Sequence, residues 1–242
     1  MVGIILSGGR ATRLFPISMV VCKQLLPVYD KPMIYYPLNT LLKAGIKDIL
    51  IIISPESAGH FINLLGDGSQ FGARISYKVQ HSPEGLAQAF TIGRDFIGGE
   101  NVCMILGDNI FEDDFSDKIR NFKSGAMVFA KKVPDPERFG IVEMDSSGKA
   151  LSIEEKPKFP KSDLCVTGLY VYDGRASDIA SSLKKSDRGE YEITDMHRWY
   201  MERGELDVSM VSGEWLDAGT FDSLLEAQIL AKERLSKNMI IK

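Results

Sequence analysis

The sequence is poor in the residues that staple chains or ligate metals. Its 242 residues hold three cysteines (Cys22, Cys103, Cys165) and three histidines (His60, His81, His197). An odd number of widely spaced thiols argues against a disulfide framework and for a reducing, cytoplasmic setting. No Cys-x-x-Cys and no histidine pair at ligand spacing occurs, so a structural zinc site is not expected. No histidine stands with a serine or cysteine in the pattern of a nucleophilic triad. No apolar run approaches the ~18 residues that a membrane helix needs. The opening MVGIILSGG lacks the basic region and the longer apolar stretch of a secretory signal. A net charge of −4 and a pI near 5.5 give no global field toward nucleic acid or anionic lipid, so neither is an expected partner. Two glycine-loop signatures are also missing. Neither G-x-x-x-x-G-K-[ST] nor G-x-G-x-x-G occurs in the opening loop, which speaks against an ATPase P-loop and against a dehydrogenase.

The composition that remains is that of an ordinary globular protein, 44% hydrophobic and 26% charged. Short Ile/Val-rich runs bounded by turn residues predict strands at 3–6, 48–54, 74–79 and 102–106. Between them, apolar residues at helical spacing predict helices at 32–44, 58–65 and 86–96, the first stopped by Gly45. This alternation predicts an α/β fold with a mostly parallel sheet covered on both faces. The second half is less regular. Strands are expected at 126–131, 141–144, 150–154, 166–172 and 206–211, with antiparallel pairs among them, and helices at 176–183, 193–203 and from 221 to about 235. No repeat, low-complexity tract or linker interrupts the chain, so residues 1–242 read as one domain. In open α/β sheets ligands bind beyond the carboxyl ends of the strands.

Several short stretches there carry candidate chemistry. In GIILSGGRATRLFP (3–16) a buried strand breaks at Gly8-Gly9, where backbone N–H groups can approach a phosphate without a Cβ in the way. Arg13 adds a cation that can fork onto phosphate oxygens. Lys23 lies in a proline-rich loop ten residues on, either as a second phosphate cation or as a solvated lysine. Gln80 ends a strand and offers a paired donor and acceptor to a base edge, or faces water. Asp108 ends an apolar strand in Leu106-Gly107-Asp108, and Asp217 ends another in WLDAGT. Each is either a turn or cap aspartate or, as a pair, a holder of Mg²⁺, which takes one or two carboxylates plus phosphate oxygens. Glu155-Lys156 sets an acceptor suited to sugar hydroxyls beside a cation suited to a phosphate, or forms an exposed charged hairpin.

Taken in order, these motifs resemble one family. Gly8-Gly9, Thr12-Arg13-Leu14 and Pro16 lead into Lys23-Gln24-Leu25-Leu26-Pro27-Val28-Tyr29-Asp30-Lys31-Pro32-Met33. Gln80, Pro83-x-Gly85-Leu86-Ala87-Gln88-Ala89, Leu106-Gly107-Asp108-Asn109 and Phe139-Gly140 follow. Glu154-Glu155-Lys156-Pro157, Val166-Thr167-Gly168-Leu169-Tyr170, Arg188-Gly189-Glu190-x-Glu192-Ile193-Thr194-Asp195 and Trp215-Leu216-Asp217-x-Gly219-Thr220 complete the series. Across nearly the whole chain the sequence resembles the glucose-1-phosphate thymidylyltransferases of the nucleotidyltransferase family. That resemblance implies a Rossmann-like nucleotide-diphospho-sugar transferase fold and formation of dTDP-glucose and pyrophosphate from dTTP and glucose 1-phosphate. It implies a nucleotide-binding half at 1–110, and a sugar-binding half with a C-terminal helix at 111–242. By the same likeness Gly8, Gly9, Thr12 and Arg13 cradle the triphosphate with Lys23 beside it. Gln24 and Gln80 recognise thymine, and Pro83, Gly85 and Leu86 line the nucleoside pocket. Asp108 and Asp217 hold Mg²⁺. Asn109, Gly140, Glu155, Val166 and Tyr170 frame the glucose, with Lys156 and Arg188 on its phosphate. Arg13, Lys23, Asp108, Lys156, Arg188 and Asp217 form the implied catalytic set. A homo-oligomer is implied as well.

The sequence departs from the family pattern at three places. Ala11 stands where the loop has its third glycine, with Arg10 as an extra cation beside it, and Phe139 stands where tyrosine is frequent. The chain stops soon after its last helix, as in a short form lacking the regulatory C-terminal helices of longer members. Two other readings remain open: the same chemistry with UTP or another hexose 1-phosphate, and a nucleotide-sugar sensor without turnover. The Lys23-Gln24-Leu25-Leu26-Pro27 run favours thymidine over uridine. The retained Asp108, Asp217, Arg13 and Lys23 favour an enzyme over a sensor.

Overall fold

The computed structural model describes residues 1–240 except Arg10, with side chains described as far as Arg234. In the first half the strands are β1 (Val2–Ser7), β2 (Pro27–Val28), β3 (Lys31–Pro32), β4 (Asp48–Ile53), β5 (Arg74–Val79), β6 (Val102–Leu106) and β7 (Asn109–Phe111). The helices among and after them are α1 (Tyr35–Lys43), α2 (Ala58–Leu65), α3 (Gln88–Ile92), α4 (Arg94–Ile97) and α5 (Ser116–Asn121). The second half contributes β8 (Ala126–Lys132), β9 (Gly140–Met144), β10 (Ala150–Glu155), β11 (Leu164–Tyr172), α6 (Ala176–Ser182), α7 (Ile193–Met201), β12 (Leu206–Met210), β13 (Trp215–Asp217) and α8 (Phe221–Ile240).

One nine-stranded sheet runs through the described residues in the order β10-β9-β11-β6-β1-β4-β5, and β8 joins β11 to β12. β5, β4, β1 and β6 are mutually parallel, whereas β11 is antiparallel to β6, β8 and β9. β1 and β4 are almost uninterrupted apolar runs because both faces of the sheet are covered. Ile4, Leu6, Leu50 and Ile52 face one core with Phe90 and Met104, while Ile5, Ile49, Ile51 and Ile53 face another with Leu38 and Phe61. β5 is the edge of the parallel region and carries the polar side chains that such an edge requires. A third cluster packs Leu224, Ala227 and Ala231 of α8 against Leu14, Leu26 and Met33, tying the last helix to the opening loops.

Two predicted helices change form. The helix expected over 32–44 starts only at Tyr35, because Lys31-Pro32 pairs back onto Pro27-Val28 as a hairpin. The helix expected over 86–96 is two short helices broken at Gly93, whose added Cβ would meet Ala89 O at 3.0 Å and Ile4 Cδ1 at 3.2 Å. The last helix continues past residue 235 to Ile240. α5 and the short pairs β2/β3 and β7/β13 were not expected from the sequence. No helix among the described residues is long and apolar enough to cross a membrane.

Candidate active site

The chain leaves β1 for β4 and β5 on one side, then returns to place β6 on the other. Such a reversal opens a crevice beyond the carboxyl ends of the two central strands. β1 ends there in Ser7-Gly8-Gly9 and β6 in Gly107-Asp108. A cavity of about 730 Å³ occupies this edge.

At its floor, β13 pairs antiparallel with β7 and sets Asp217 opposite Asn109. The Ala218 N–H also donates to Asp108 O at 3.0 Å. Two carboxyls separated by 109 residues of sequence therefore meet. They lie within electrostatic and hydrogen-bonding reach of each other. Burial, reinforced by the Asp108 charge, pushes the Asp217 carboxyl up to about 6, against the pull of Lys23 and Arg13. Burial also works to raise Asp108, but the Lys23 ammonium beside it holds it below the usual carboxylate range. Lys23 makes an ion pair with Asp108, and Arg13 Nη2 lies 3.3 Å from Asp217 Oδ2. Burial works to lower the Lys23 pKa, yet the charge and hydrogen bond of Asp108 together with the Asp217 charge raise it on balance, so the ammonium persists. Asn109 acts as a bracket. Its Oδ1 accepts from Gly168 N–H at 3.0 Å and Trp215 Nε1 at 2.7 Å, and its Nδ2 donates to Asp108 Oδ1 at 3.2 Å.

The opening loop forms the upper wall. A Cβ on Gly8 would sit 2.2 Å from Gln80 Oε1, so a side chain there would push the Gln80 amide out of its place. Gly9, Arg13, Lys23, Gln24, Gln80, Pro83, Gly85 and Leu86 all line the cavity. Gln24 and Gln80 are buried, and Gln24 Oε1 accepts from Cys22 Sγ at 2.9 Å. Gly8 lies on an adjoining cavity of about 480 Å³, whose lining shares Gly9, Lys23, Gln80 and Pro83. Thr12 is exposed, in a 3₁₀ turn at Thr12–Leu14, and lines neither cavity. Ala11 adopts φ 49° and ψ 39°, the left-handed conformation natural to glycine. Arg10 lies outside the described residues.

The facing wall comes from the second half. Gly140, Glu155, Lys156, Val166, Tyr170 and Arg188 line it, as does Asn109. A Cβ on Gly140 would meet Thr194 Cγ2 at 2.8 Å. Lys156 follows β10 with φ 42°, a strained non-glycine position of the kind found at functional sites. Burial raises the Glu155 carboxyl's pKa, opposed by Lys156 and assisted by Glu192. Arg188 reaches Glu155 at 3.3 Å, Glu190 at 3.2 Å and Glu192 at 3.4 Å. The sequence reading assigned no role to Glu190, Glu192, Thr194, His197 or Trp215, all of which line the cavity. The two glutamates flank the 191 position of RGEYEITD, and their spacing from Arg188 was the available signal. His197 is wholly buried between Tyr170 and Tyr172, and burial lowers its pKa to about 3, so it stays neutral.

A nucleotidyl transferase family model matches residues 2–234. A curated glucose-1-phosphate thymidylyltransferase of Neisseria meningitidis serogroup A is 58% identical over 233 residues, covering 94% of this chain and 81% of that protein. One of Mycolicibacterium smegmatis is 56% identical over 230 residues, covering 93% and 80%. A Bacillus anthracis protein solved in complex with sucrose superimposes with a TM-score of 0.90 at 46% identity, covering 96% of this chain and 95% of that one. A UDP-glucose pyrophosphorylase solved with UDP-glucose shares the fold, with a TM-score of 0.84 at 22% identity and coverage of 97% and 100%. Strand-end glycines, paired carboxyls and family match agree, and the chain belongs to the nucleotidyl transferase family, among its glucose-1-phosphate thymidylyltransferases.

Proposed function

We propose that the chain forms dTDP-glucose and pyrophosphate from dTTP and glucose 1-phosphate in the cavity between its two halves. The observation that carries this reading is the convergence of Arg13, Lys23, Lys156 and Arg188 on one cavity that also holds the Asp108–Asp217 pair. A phosphate oxygen of glucose 1-phosphate attacks the α-phosphorus of dTTP; the new O–P bond forms as the bond to the β-phosphate bridging oxygen breaks. The attacking oxygen is already anionic, so the step needs no strong base. It needs two anions held in line and their charge offset, which is proximity and electrostatic catalysis.

Gly8, Gly9, Arg13 and Lys23 are assigned to the triphosphate, with Thr12 beside them. Gln24, Gln80, Pro83, Gly85 and Leu86 are assigned to the nucleoside. Gly140, Glu155, Val166 and Tyr170 are assigned to the hexose, and Lys156 and Arg188 to its phosphate. Asn109 is also assigned to the hexose, and its amide braces Asp108, Gly168 and Trp215 around the cavity it lines. The donor set suits Mg²⁺, a hard cation that takes carboxylate and phosphate oxygens. No cluster of three or more His, Cys, Asp or Glu fit to hold a metal exists among the described residues. Asp108 and Asp217 would therefore hold the ion together with substrate oxygens, where it supplies charge neutralisation for the phosphates. The free, buried Cys103 and Cys165 support a reducing, cytoplasmic setting. A self-associated state follows from the family reading and is read by sedimentation.

Pyrophosphate release with Mg²⁺ and glucose 1-phosphate, compared across dTTP, UTP, CTP and ATP, tests the assignment. Release favouring dTTP is expected. Asp108→Asn should lower turnover by roughly 100-fold or more while the protein stays folded. Full activity in that variant overturns the metal assignment. Binding of dTTP without release by the unaltered protein moves the sensor reading to first place.

A further inference from the structure

A glutamine amide has two unlike ends of the same shape, an accepting oxygen and a donating nitrogen. Which end faces a nucleobase decides which ring edges can bind, and half a turn of the amide reverses the choice. For Gln80 the surrounding chemistry fixes the orientation. The Glu84 backbone N–H can only donate, and it points at Gln88 Oε1 at 3.1 Å. The Glu84 carboxylate can only accept, and it takes Gln88 Nε2 at 3.4 Å on Oε2. Lys185 Nζ holds its other oxygen at 2.8 Å. Gln88 is therefore set with its oxygen toward Gln80. The Gln80 atom 2.6 Å from that oxygen must donate, so it is Nε2. Gln80 Oε1 is left on the Gly8 side, where a Cβ would lie 2.2 Å away. Gln80 is 4% exposed, so it has little room to choose another partner.

We propose that Gln88 is a positioning residue for base selection: by pinning Gln80 Nε2 it presents Oε1 as an acceptor and so selects pyrimidines with an imide N–H. Thymine and uracil carry a ring N–H at that edge. Cytosine carries a ring-nitrogen lone pair there, which would face the Oε1 lone pair. A Gln80 amide free to turn over would meet cytosine as well, its Nε2 donating to the ring nitrogen. The inference rests on the reading that Gln80 meets the base of the nucleoside triphosphate. It goes beyond that reading by naming what sets the polarity of the contact.

The test compares kcat/KM for dUTP and dCTP, which differ only in the ring edge, in the unaltered enzyme, Gln88→Leu, Gln88→Glu and Gln80→Ala. Leucine offers no acceptor, so the dUTP/dCTP ratio should fall at least tenfold, mainly through KM, with the KM for glucose 1-phosphate unchanged. Glutamate keeps an acceptor for Gln80 Nε2, so it should retain the ratio. Where leucine disturbs folding, Gln88→Met removes the acceptor without the branch. A ratio in folded Gln88→Leu within twofold of the unaltered enzyme overturns the inference, as does an equal loss for both nucleotides in the Leu and Glu variants. Failure of the underlying reading looks different: Gln80→Ala would then keep the imide preference. Loss of preference in Gln80→Ala but not in Gln88→Leu overturns only the role of Gln88.

Discussion

Ala11 shows what one methyl group means in a tight loop. At φ 49° an L-residue brings its Cβ close to the following carbonyl oxygen, at a cost of about 1–2 kcal/mol that glycine avoids. Ala11→Gly relieves this strain but returns some of it through the freer unfolded chain. The expected net effect is about 0.5–1 kcal/mol of added stability in urea unfolding, with turnover retained. A lower midpoint would show that the methyl contributes packing worth more than the strain. His197 sets a second expectation at this scale. Burial holds its folded pKa near 3 against an ordinary 6.5, so between these values the unfolded chain binds a proton that the folded chain refuses. The stability associated with a neutral His197 is complete above pH 6.5 and is lost as pH falls toward 3, by about 2 kcal/mol at pH 5. His197→Phe should flatten that part of the decline when urea midpoints are followed from pH 7 to 5. Parallel declines in both proteins would refute the assignment.

Among elements, the segment before α3 depends on one glycine. Gly85 has φ +102°, and a Cβ there would lie 2.4 Å from Tyr191 O and 2.6 Å from Tyr191 N. The closeness exists because Tyr191 N–H donates to Glu84 O at 2.7 Å and Ala87 N–H to Tyr191 O at 3.3 Å. These two bonds lace the loop after β5 to the loop before α7. Gly85→Ala would force them apart, and roughly 1–3 kcal/mol of stability should be lost. KM should rise for both substrates, since the laced loops supply Leu86 to one side of the cavity and Glu190 to the other. A rise for only one substrate would show that the loops move independently. Element lengths also explain what the sequence revealed. β4 reads as DILIII because a strand covered on both faces must be apolar throughout. Its bounds, and those of β5 and β6, follow within a residue. β7 and β13 have three residues each, too few to show a period, and they come from distant parts of the chain, with the side-chain bond from Trp215 to Asn109 spanning 106 residues. The sequence thus pointed to Asp108 and Asp217 as strand-end carboxyls without revealing the ribbon that brings them together. The orientation of the Gln80 amide was equally hidden, since it depends on the Glu84 N–H reached only after folding.

At the scale of the molecule, the cavity is walled by the loops after β1 and β6 on one side and by β10, β11 and the Arg188 loop on the other. A nucleotide bound there stabilises segments distant in sequence together. At 100 times its Kd, dTTP should add about 2.7 kcal/mol, or roughly 5–10 °C in Tm. Amide exchange should slow in residues 80–88 and 189–192 alike. Protection confined to the first segment would place the nucleotide wholly on the β1 side. The β7/β13 ribbon also sets a timetable for synthesis. At ~5–20 residues per second, a nascent chain that has released Asn109 waits roughly 5–20 s for Trp215. During that interval Asp108 has no carboxyl partner, and Asn109 lacks Trp215 throughout and Gly168 for its first part. The opening loops wait longer still, because Leu14, Leu26 and Met33 pack on Leu224, Ala227 and Ala231, so the glycine loop and the carboxyl pair are both completed only once α8 has been made.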